Sequence, residues 1–239
     1  MPEIIQISAK SLGELALPRF CPKCFWLQLK LRGKLPWQII PGIFSTIDSH
    51  TKKITWQHFE ARKSLPCWCQ QQGMAAVLVP GPHHSKFAVV HQETNIRLTG
   101  TPDVIVKRQD ESFGIIDYKT ARLTEHQNNI LPMYRVQLNS YAYIAERCGF
   151  SPVTGIGLVY FQPQTDVDVE NVADYLLDDG FRLSFRSRVL TLELDPNNVV
   201  EPLLRDARRL ADMEKPPDSA EGCQDCQRLN DLIRTLSLR

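Results

Sequence analysis

Apolar positions recur along this chain with two different periods, and the change of period divides it into segments. Between Ser8 and Lys30, an apolar-periodic stretch after Ser11, a break at Pro18 and the run Phe25-Trp26-Leu27 with Leu29 predict a short helix, a turn carrying two cysteines and a second element. Pro36 and Pro41 interrupt the pattern. Helical spacing then resumes from Ile43 to Arg62 through Ile47, Ile54 and Phe59, and Pro66 ends it. Beyond Gly73 the runs become short and rich in β-branched residues, with Pro and Gly between them: Ala75 to Val79, Phe87 to Val90, Ile96 to Thr99, Val104 to Lys107 and Phe113 to Asp117. The polar turn from Arg108 to Glu111 makes the last two a predicted β-hairpin, fed by the extended stretch that begins at Arg97. Helical spacing returns from Met133 to Arg147 through Val136, Leu138, Tyr141 and Ile144, ending before Gly149. A strand from Gly155 to Phe161, an aspartate-rich stretch, a strand from Ser184 to Leu194 and a helix from Val199 to Met213, stopped at Lys215-Pro216-Pro217, complete the order. Helix, strands, helix, strand, helix predicts an α/β fold with a mixed central sheet flanked by helices.

Composition narrows this without redirecting it. A chain of 239 residues with 43% hydrophobic and 23% charged residues suits one large domain, residues 1–239, around an ordinary apolar core. There is no apolar run of membrane-spanning length and no signal-peptide pattern, so the expected location is cytoplasmic, away from membranes. A net charge of +1 provides no global field for nucleic acid, so any such surface must be local. Candidates are Lys23, Lys30, Arg32 and Lys34, then Lys52 and Lys53, then Arg182, Arg186 and Arg188. Seven cysteines in a reducing compartment point to metal binding or burial rather than to disulfides.

The candidate chemistry centres on the hairpin. Residues two apart on a strand share a face, so Asp117 and Lys119 point one way and Tyr118 the other. Asp103, after Gly100-Thr101-Pro102, joins them if the two strands pair. Two carboxylates and a lysine on one spot are costly unless a cation neutralises the acids, and hard oxygen ligands suit Mg²⁺ or Mn²⁺. Such an ion polarises a phosphoryl group and activates water; Lys119 would position that water or stabilise charge on the phosphate, and the Tyr118 carbonyl would complete the coordination. The predicted reaction is phosphodiester hydrolysis. The plainer alternative is two acids flanking turns beside a surface lysine. On the following helix Gln137 and Tyr141 are four apart and share a face, with Tyr134 one turn earlier.

A second constellation lies at the two ends. Cys21-Pro22-Lys23-Cys24 and Cys223-Gln224-Asp225-Cys226 together offer four thiolates to a tetrahedral Zn²⁺ or a [4Fe-4S] cluster, which would staple segments 11–30 and 215–230. Their distance in sequence from the acids makes this centre structural. Cys67-Trp68-Cys69 is too closely spaced to chelate one ion and reads as a loop; Cys148, at a helix end, reads as buried.

The order Gly100-Thr101-Pro102-Asp103, Asp117-Tyr118-Lys119-Thr120 and Gln137-Leu138-Asn139-Ser140-Tyr141 resembles the RecB-like branch of the PD-(D/E)XK nuclease superfamily, over roughly residues 11 to 226. The resemblance implies a restriction-endonuclease-like α/β/α core that cuts DNA with Mg²⁺ or Mn²⁺, as an exonuclease or with a preference for single strands. It gives Gln137 and Tyr141 a role in contacting DNA or supporting the metal site. It also implies an active-site histidine on a helix before the hairpin. His50 is the candidate, as catalytic group and metal ligand, with Asp48 its rival; neither His50 nor His58 stands in the family's usual Gly-x-x-x-His-x-x-Leu-Glu context. CRISPR-adaptation exonucleases and the nuclease subunits of helicase–nuclease complexes in this branch hold an iron–sulfur cluster with end-to-end cysteines, one early and three late. Here the pairs are two and two, so [4Fe-4S] is the implied group and Zn²⁺ the alternative. The implied partners are DNA, single-stranded or at ends, and a protein partner in a DNA-processing complex. Two other readings stay open: a catalytically silent nucleic-acid-binding or assembly subunit with the same fold, and a redox or zinc protein centred on the cysteines.

Overall fold

The structure is a computed structural model that describes residues 3–31, 41–70, 76–83, 85–124 and 129–237. The sequence readings at Arg32, Lys34, Pro36, Gly73 and Ala75 lie outside these residues. In chain order the elements are β1 (Ile5–Ser8), α1 (Ala9–Glu14), α2 (Pro22–Leu31), α3 (Gly42–Arg62), α4 (Cys67–Gln70), β2 (Ala76–Val79), β3 (Ala88–His91), β4 (Ile96–Thr99), β5 (Val104–Arg108), β6 (Phe113–Thr120), α5 (Leu131–Arg147), β7 (Val153–Pro163), a short 3₁₀ turn (Val172–Asp174), β8 (Leu176–Leu177), β9 (Gly180–Phe181), β10 (Phe185–Leu192), α6 (Pro196–Asp212) and α7 (Gln224–Ser237).

The central sheet has the order β10-β7-β6-β5-β2 and is mixed: β6 and β7 run parallel, while the other neighbours are antiparallel. Side chains alternate across β6 as strand geometry requires. Ile115 enters a core with Ile105, Leu158, Leu138 and Ile144, which is covered by α1, α5 and α6. Ile116 and Tyr118 enter a second core on the opposite face with Val104, Val106, Val159, Phe161 and Cys69, capped by Trp56, Phe59 and Trp68. Helices thus lie on both faces of the sheet, as the pattern predicts.

The extended stretch from Arg97 divides between two sheets. β4 pairs with β1 in parallel and with β3 antiparallel in a separate three-stranded sheet. Residues 100–103 then carry the chain to β5. Gly100 makes this crossing possible: its φ is +152°, and a Cβ there would stand 2.7 Å from Cε1 of Tyr141 and 3.0 Å from Cβ of Ala9. A similar closeness at Gly13, where a Cβ would meet the Met133 carbonyl oxygen at 2.5 Å, lets α1 lie against α5.

Several expectations change. β1 was not expected, and Ser8 rather than Ser11 caps α1, its hydroxyl accepting from the Ser11 N–H at 3.0 Å. α7 is a helix beyond the Pro216-Pro217 stop. Cys67-Trp68-Cys69 forms the helical turn α4 rather than a loop: Cys69 is buried beneath Tyr118, and Trp68 packs edge-on against Phe161. Cys148 is half-buried at the end of α5, because its position at the helix C-cap leaves one side open. Among the described residues no helix is long and apolar enough to cross a membrane.

Candidate active site and four-cysteine centre

Strand parity and the hairpin register bring the expected residues together. β5 and β6 pair from Val104 opposite Ile116, so Asp103 lies one residue beyond the ladder, beside Asp117 and Tyr118. Asp103 Oδ2 accepts the Tyr118 backbone N–H at 2.6 Å. Asp117 is buried, and its Oδ2 is ion-paired with Lys119 Nζ at 2.5 Å. Lys119 donates to Gln137 Oε1 at 3.2 Å and sits 4.4 Å from the centre of the Tyr134 ring. Gln137 Nε2 donates to the Tyr141 hydroxyl at 2.6 Å, and that ring rests against Gly100. Gln137 and Tyr141 therefore form a brace from the sheet crossing to Lys119.

His50 is not part of this group. It lies two residues from Asp48, about 200° around the helix at 3.6 residues per turn, and is exposed with Ser45, Thr46, Ser49 and Lys53. The face of α3 turned to the sheet is the one carrying Asp48, Thr51, Lys52 and Thr55. The Thr55 hydroxyl meets the Tyr118 hydroxyl at 2.8 Å, and Lys52 Nζ reaches Asp103 Oδ1 at 2.7 Å and Asp48 Oδ2 at 2.8 Å. Lys52 is the site neighbour that sequence reasoning missed, having read it as part of a basic surface patch. The i, i+4, i+7 spacing of Asp48, Lys52 and Thr55 was the signal.

Five ionisable groups thus converge, three acids and two lysines. Burial raises the Asp103 carboxyl to about 6, with the nearby Asp117 charge adding to the shift and Lys52 opposing it. Burial likewise raises Asp117, against the pull of Lys119. Tyr141 is raised by burial and by Asp117, so its hydroxyl stays protonated beside Gln137. A buried acid pair held against its own ionisation has the donor chemistry that a hard divalent cation satisfies.

The face around the site carries further polar groups. Lys119, Tyr160 and Arg188 are opposite one another across β6, β7 and β10, and Arg186 is opposite Gln162 one step along. Arg186 and Arg188 are exposed. The Tyr160 hydroxyl is buried with no hydrogen-bond partner among the described residues. Elsewhere, Lys30 donates to the Ala211 carbonyl at the end of α6 at 2.9 Å, a helix-terminal contact rather than part of an open basic surface.

The four end cysteines form a second centre. Sγ separations are 3.6 Å for Cys21 and Cys226, 3.5 Å for Cys24 and Cys223, and 3.4 Å for Cys24 and Cys226; all four sulfurs lie within 4.8 Å of one another. Burial opposes ionisation of Cys21, but N–H groups of Cys24 and Ala220 and the neighbouring thiols lower it to about 7. Burial, with Cys21 and Cys223, pushes Cys226 up to about 12 against the opposing hydrogen bond with Cys24. One thiolate is thus favoured and those of Cys24 and Cys226 resisted, the condition that a bound cation relieves. The Trp26 indole N–H donates to the Met213 carbonyl at 3.0 Å, so α2 is also tied to the end of α6.

A family model described as the PD-(D/E)XK nuclease superfamily matches residues 48–230 of this chain. The chain belongs to that superfamily. Among solved structures the chain is similar to that of SSO0001, at 14% identity and a TM-score of 0.44, covering 90% of this chain and 80% of that one. Among curated proteins none matches.

Proposed function

We propose that this chain is an Mg²⁺- or Mn²⁺-dependent deoxyribonuclease of RecB-like type. The observation that carries the reading is the convergence of Asp103, Asp117 and Lys119, with the buried Asp117 carboxylate in ion-pair contact with Lys119 and Asp103 beside it. Asp103 and Asp117 would hold the ion, with Asp48 in the place that the sequence assigned to His50. The N–H and C=O of one strand residue point the same way, so the Tyr118 carbonyl is directed to the side of its N–H, towards Asp103, beyond the last pair of the ladder. That supports its expected part in coordination. A bound ion supplies polarisation of the scissile phosphate and a water of lowered pKa.

The chain's own groups do the rest. Lys119, braced by Gln137 and stacked on Tyr134, orients the water or meets charge developing on the phosphate. Gln137 holds Lys119, and Tyr141 holds Gln137. Arg188 and Arg186, exposed on the same face, offer cations to the strand, and DNA as a single strand or an end fits a face whose charge is local rather than global. The superfamily membership and the order of the motifs support the RecB-like, exonucleolytic reading in a cytoplasmic setting, with a protein partner helping to hold DNA.

At the cysteine centre the sulfur spacing favours one tetrahedral ion. A Zn²⁺ with bonds of about 2.3 Å places its thiolates about 3.8 Å apart. A [4Fe-4S] cube, with an iron beneath each thiolate, spreads its ligands farther than the 4.8 Å that encloses these four. We therefore assign zinc ahead of the cluster.

Cleavage of labelled single- and double-stranded DNA with Mn²⁺, by wild type and by the Asp117→Ala and Lys119→Ala variants, tests the activity. The expected outcome is cleavage by wild type and a loss of at least about 100-fold in each variant. Absence of cleavage by wild type, or equal cleavage by all three, would refute it.

A further inference from the structure

Among the five charged groups of the site, Lys52 has no task in the reaction just described, yet it bridges two of the acids. Its ammonium lies 2.7 Å from Asp103 Oδ1 and 2.8 Å from Asp48 Oδ2. The other oxygen of Asp103 is taken by the Tyr118 N–H. An ion that uses Asp103 as a ligand through its free oxygen must therefore bind the atom that Lys52 already holds. Two cations on one oxygen repel each other, which favours withdrawal of the less firmly held lysine.

The two lysines differ in how they are held. Lys119 is fixed by Asp117, by Gln137 Oε1 and by the Tyr134 ring, and its side chain is 17% exposed. The side chain of Lys52 is 37% exposed, and among the described residues its ion-pair partners are the two acids. A long unbranched chain at the open edge of a helix moves at little cost.

Resting on the metal-dependent reading above, we propose that Lys52 is the resident cation of the metal-free site: it occupies the position between Asp48 and Asp103 and is displaced when Mg²⁺ or Mn²⁺ binds. Its presence offsets repulsion among three carboxylates and so lets the metal-free chain keep its folded geometry. Once displaced, the ammonium lacks an anion, and a phosphate of the substrate strand at the same site supplies one. Nucleic acid then tightens metal binding, and by linkage metal tightens nucleic-acid binding by the same factor.

Mn²⁺ binding followed by electron paramagnetic resonance, with no nucleic acid present, provides the test. Lys52→Met should bind Mn²⁺ at least about tenfold more tightly than wild type, because a unit charge in contact with the acids is gone. Lys53→Met, the same charge change on the exposed far side of α3, should leave the affinity unaltered. An uncleavable phosphorothioate single strand should tighten Mn²⁺ binding in wild type and not in Lys52→Met. Wild type itself gives a readout that needs no variant: acylation of the Lys52 amine, followed by mass spectrometry, should speed up several-fold on adding Mn²⁺, relative to Lys10. Equal or weaker Mn²⁺ binding by Lys52→Met, an equal gain in Lys53→Met, or Lys52 acylation that does not rise with Mn²⁺ would overturn this inference alone. A wild type that binds no Mn²⁺ would overturn the metal-dependent reading with it.

Discussion

Replacing Gly100 by alanine joins the fold to the site in one measurement. The new methyl would stand 2.7 Å from the Tyr141 ring and 3.0 Å from Cβ of Ala9. Neither neighbour can give way easily: Tyr141 is 6% exposed and its hydroxyl is bonded to Gln137, while Ala9 is fully buried on α1. Overpacking of this kind costs about 1–3 kcal/mol. The φ of +152° adds a backbone penalty for a non-glycine residue of about 1–3 kcal/mol. The sum is about 2–6 kcal/mol, and at about 2–4 °C per kcal/mol for a chain of this size the melting temperature should fall by at least about 4 °C. Urea denaturation of metal-free protein measures the first quantity. Single-turnover cleavage measures a second effect: a displaced Tyr141 loosens Gln137 and then Lys119, so the chemical step should slow with little change in substrate affinity. Adding Tyr141→Leu to Gly100→Ala should cost less than the two separate losses combined, because the clash and the brace involve one ring. A stability loss under about 0.5 kcal/mol, against the 1–3 kcal/mol expected of overpacking alone, would refute the tight-crossing argument.

Two further outcomes follow from the charged centres. Asp103, raised to about 6, binds its proton more tightly in the folded state than in the unfolded one, so metal-free protein should gain stability from this group as pH falls from neutrality through that value. The same proton competes with a cation, so the Mn²⁺ affinity measured across pH 5–8 should weaken by up to about tenfold per unit below 6, and a flat profile would contradict the assignment. Removal of the thiolate-bound ion, by a strong chelator or in Cys21→Ala and Cys223→Ala, should lower the unfolding free energy by several kcal/mol while Mn²⁺ binding at the acids persists. Metal analysis should find one zinc per chain without sulfide; iron with sulfide would support the cluster instead, and unchanged melting in the variants would remove the structural role.

The parts of this molecule legible in the sequence are those whose physics is local. The alternation on β6 places Asp117 and Lys119 together whatever else the chain does, and the spacing of Val136, Leu138, Tyr141 and Ile144 makes α5 a helix with Gln137 and Tyr141 on one face. What escaped depends on distant partners. β1 is four residues long and exists by pairing with β4, about ninety positions away. The division of the stretch from Arg97 between two sheets is invisible in its continuous extended pattern and is betrayed by Gly100 alone. On α3 the acid and the histidine were weighed as residue types, whereas helix phase decides the matter: Thr51 and Thr55 are buried, and Asp48 and Lys52 lie on their side while His50 does not.

The separation of the two thiol pairs has a consequence for how the protein is made. Cys21 and Cys226 meet across 205 residues, so during synthesis the early pair emerges with no partner and waits while the hairpin, α5 and the sheet are translated. Half a tetrahedral site holds its ion poorly, and closing so long a loop costs less once the intervening chain has folded. An ion held by all four thiolates would therefore be captured last. The acids that assemble within residues 103–119 can form their site before the clasp closes, and a nascent chain halted before Cys223 would carry the acids without their fastening.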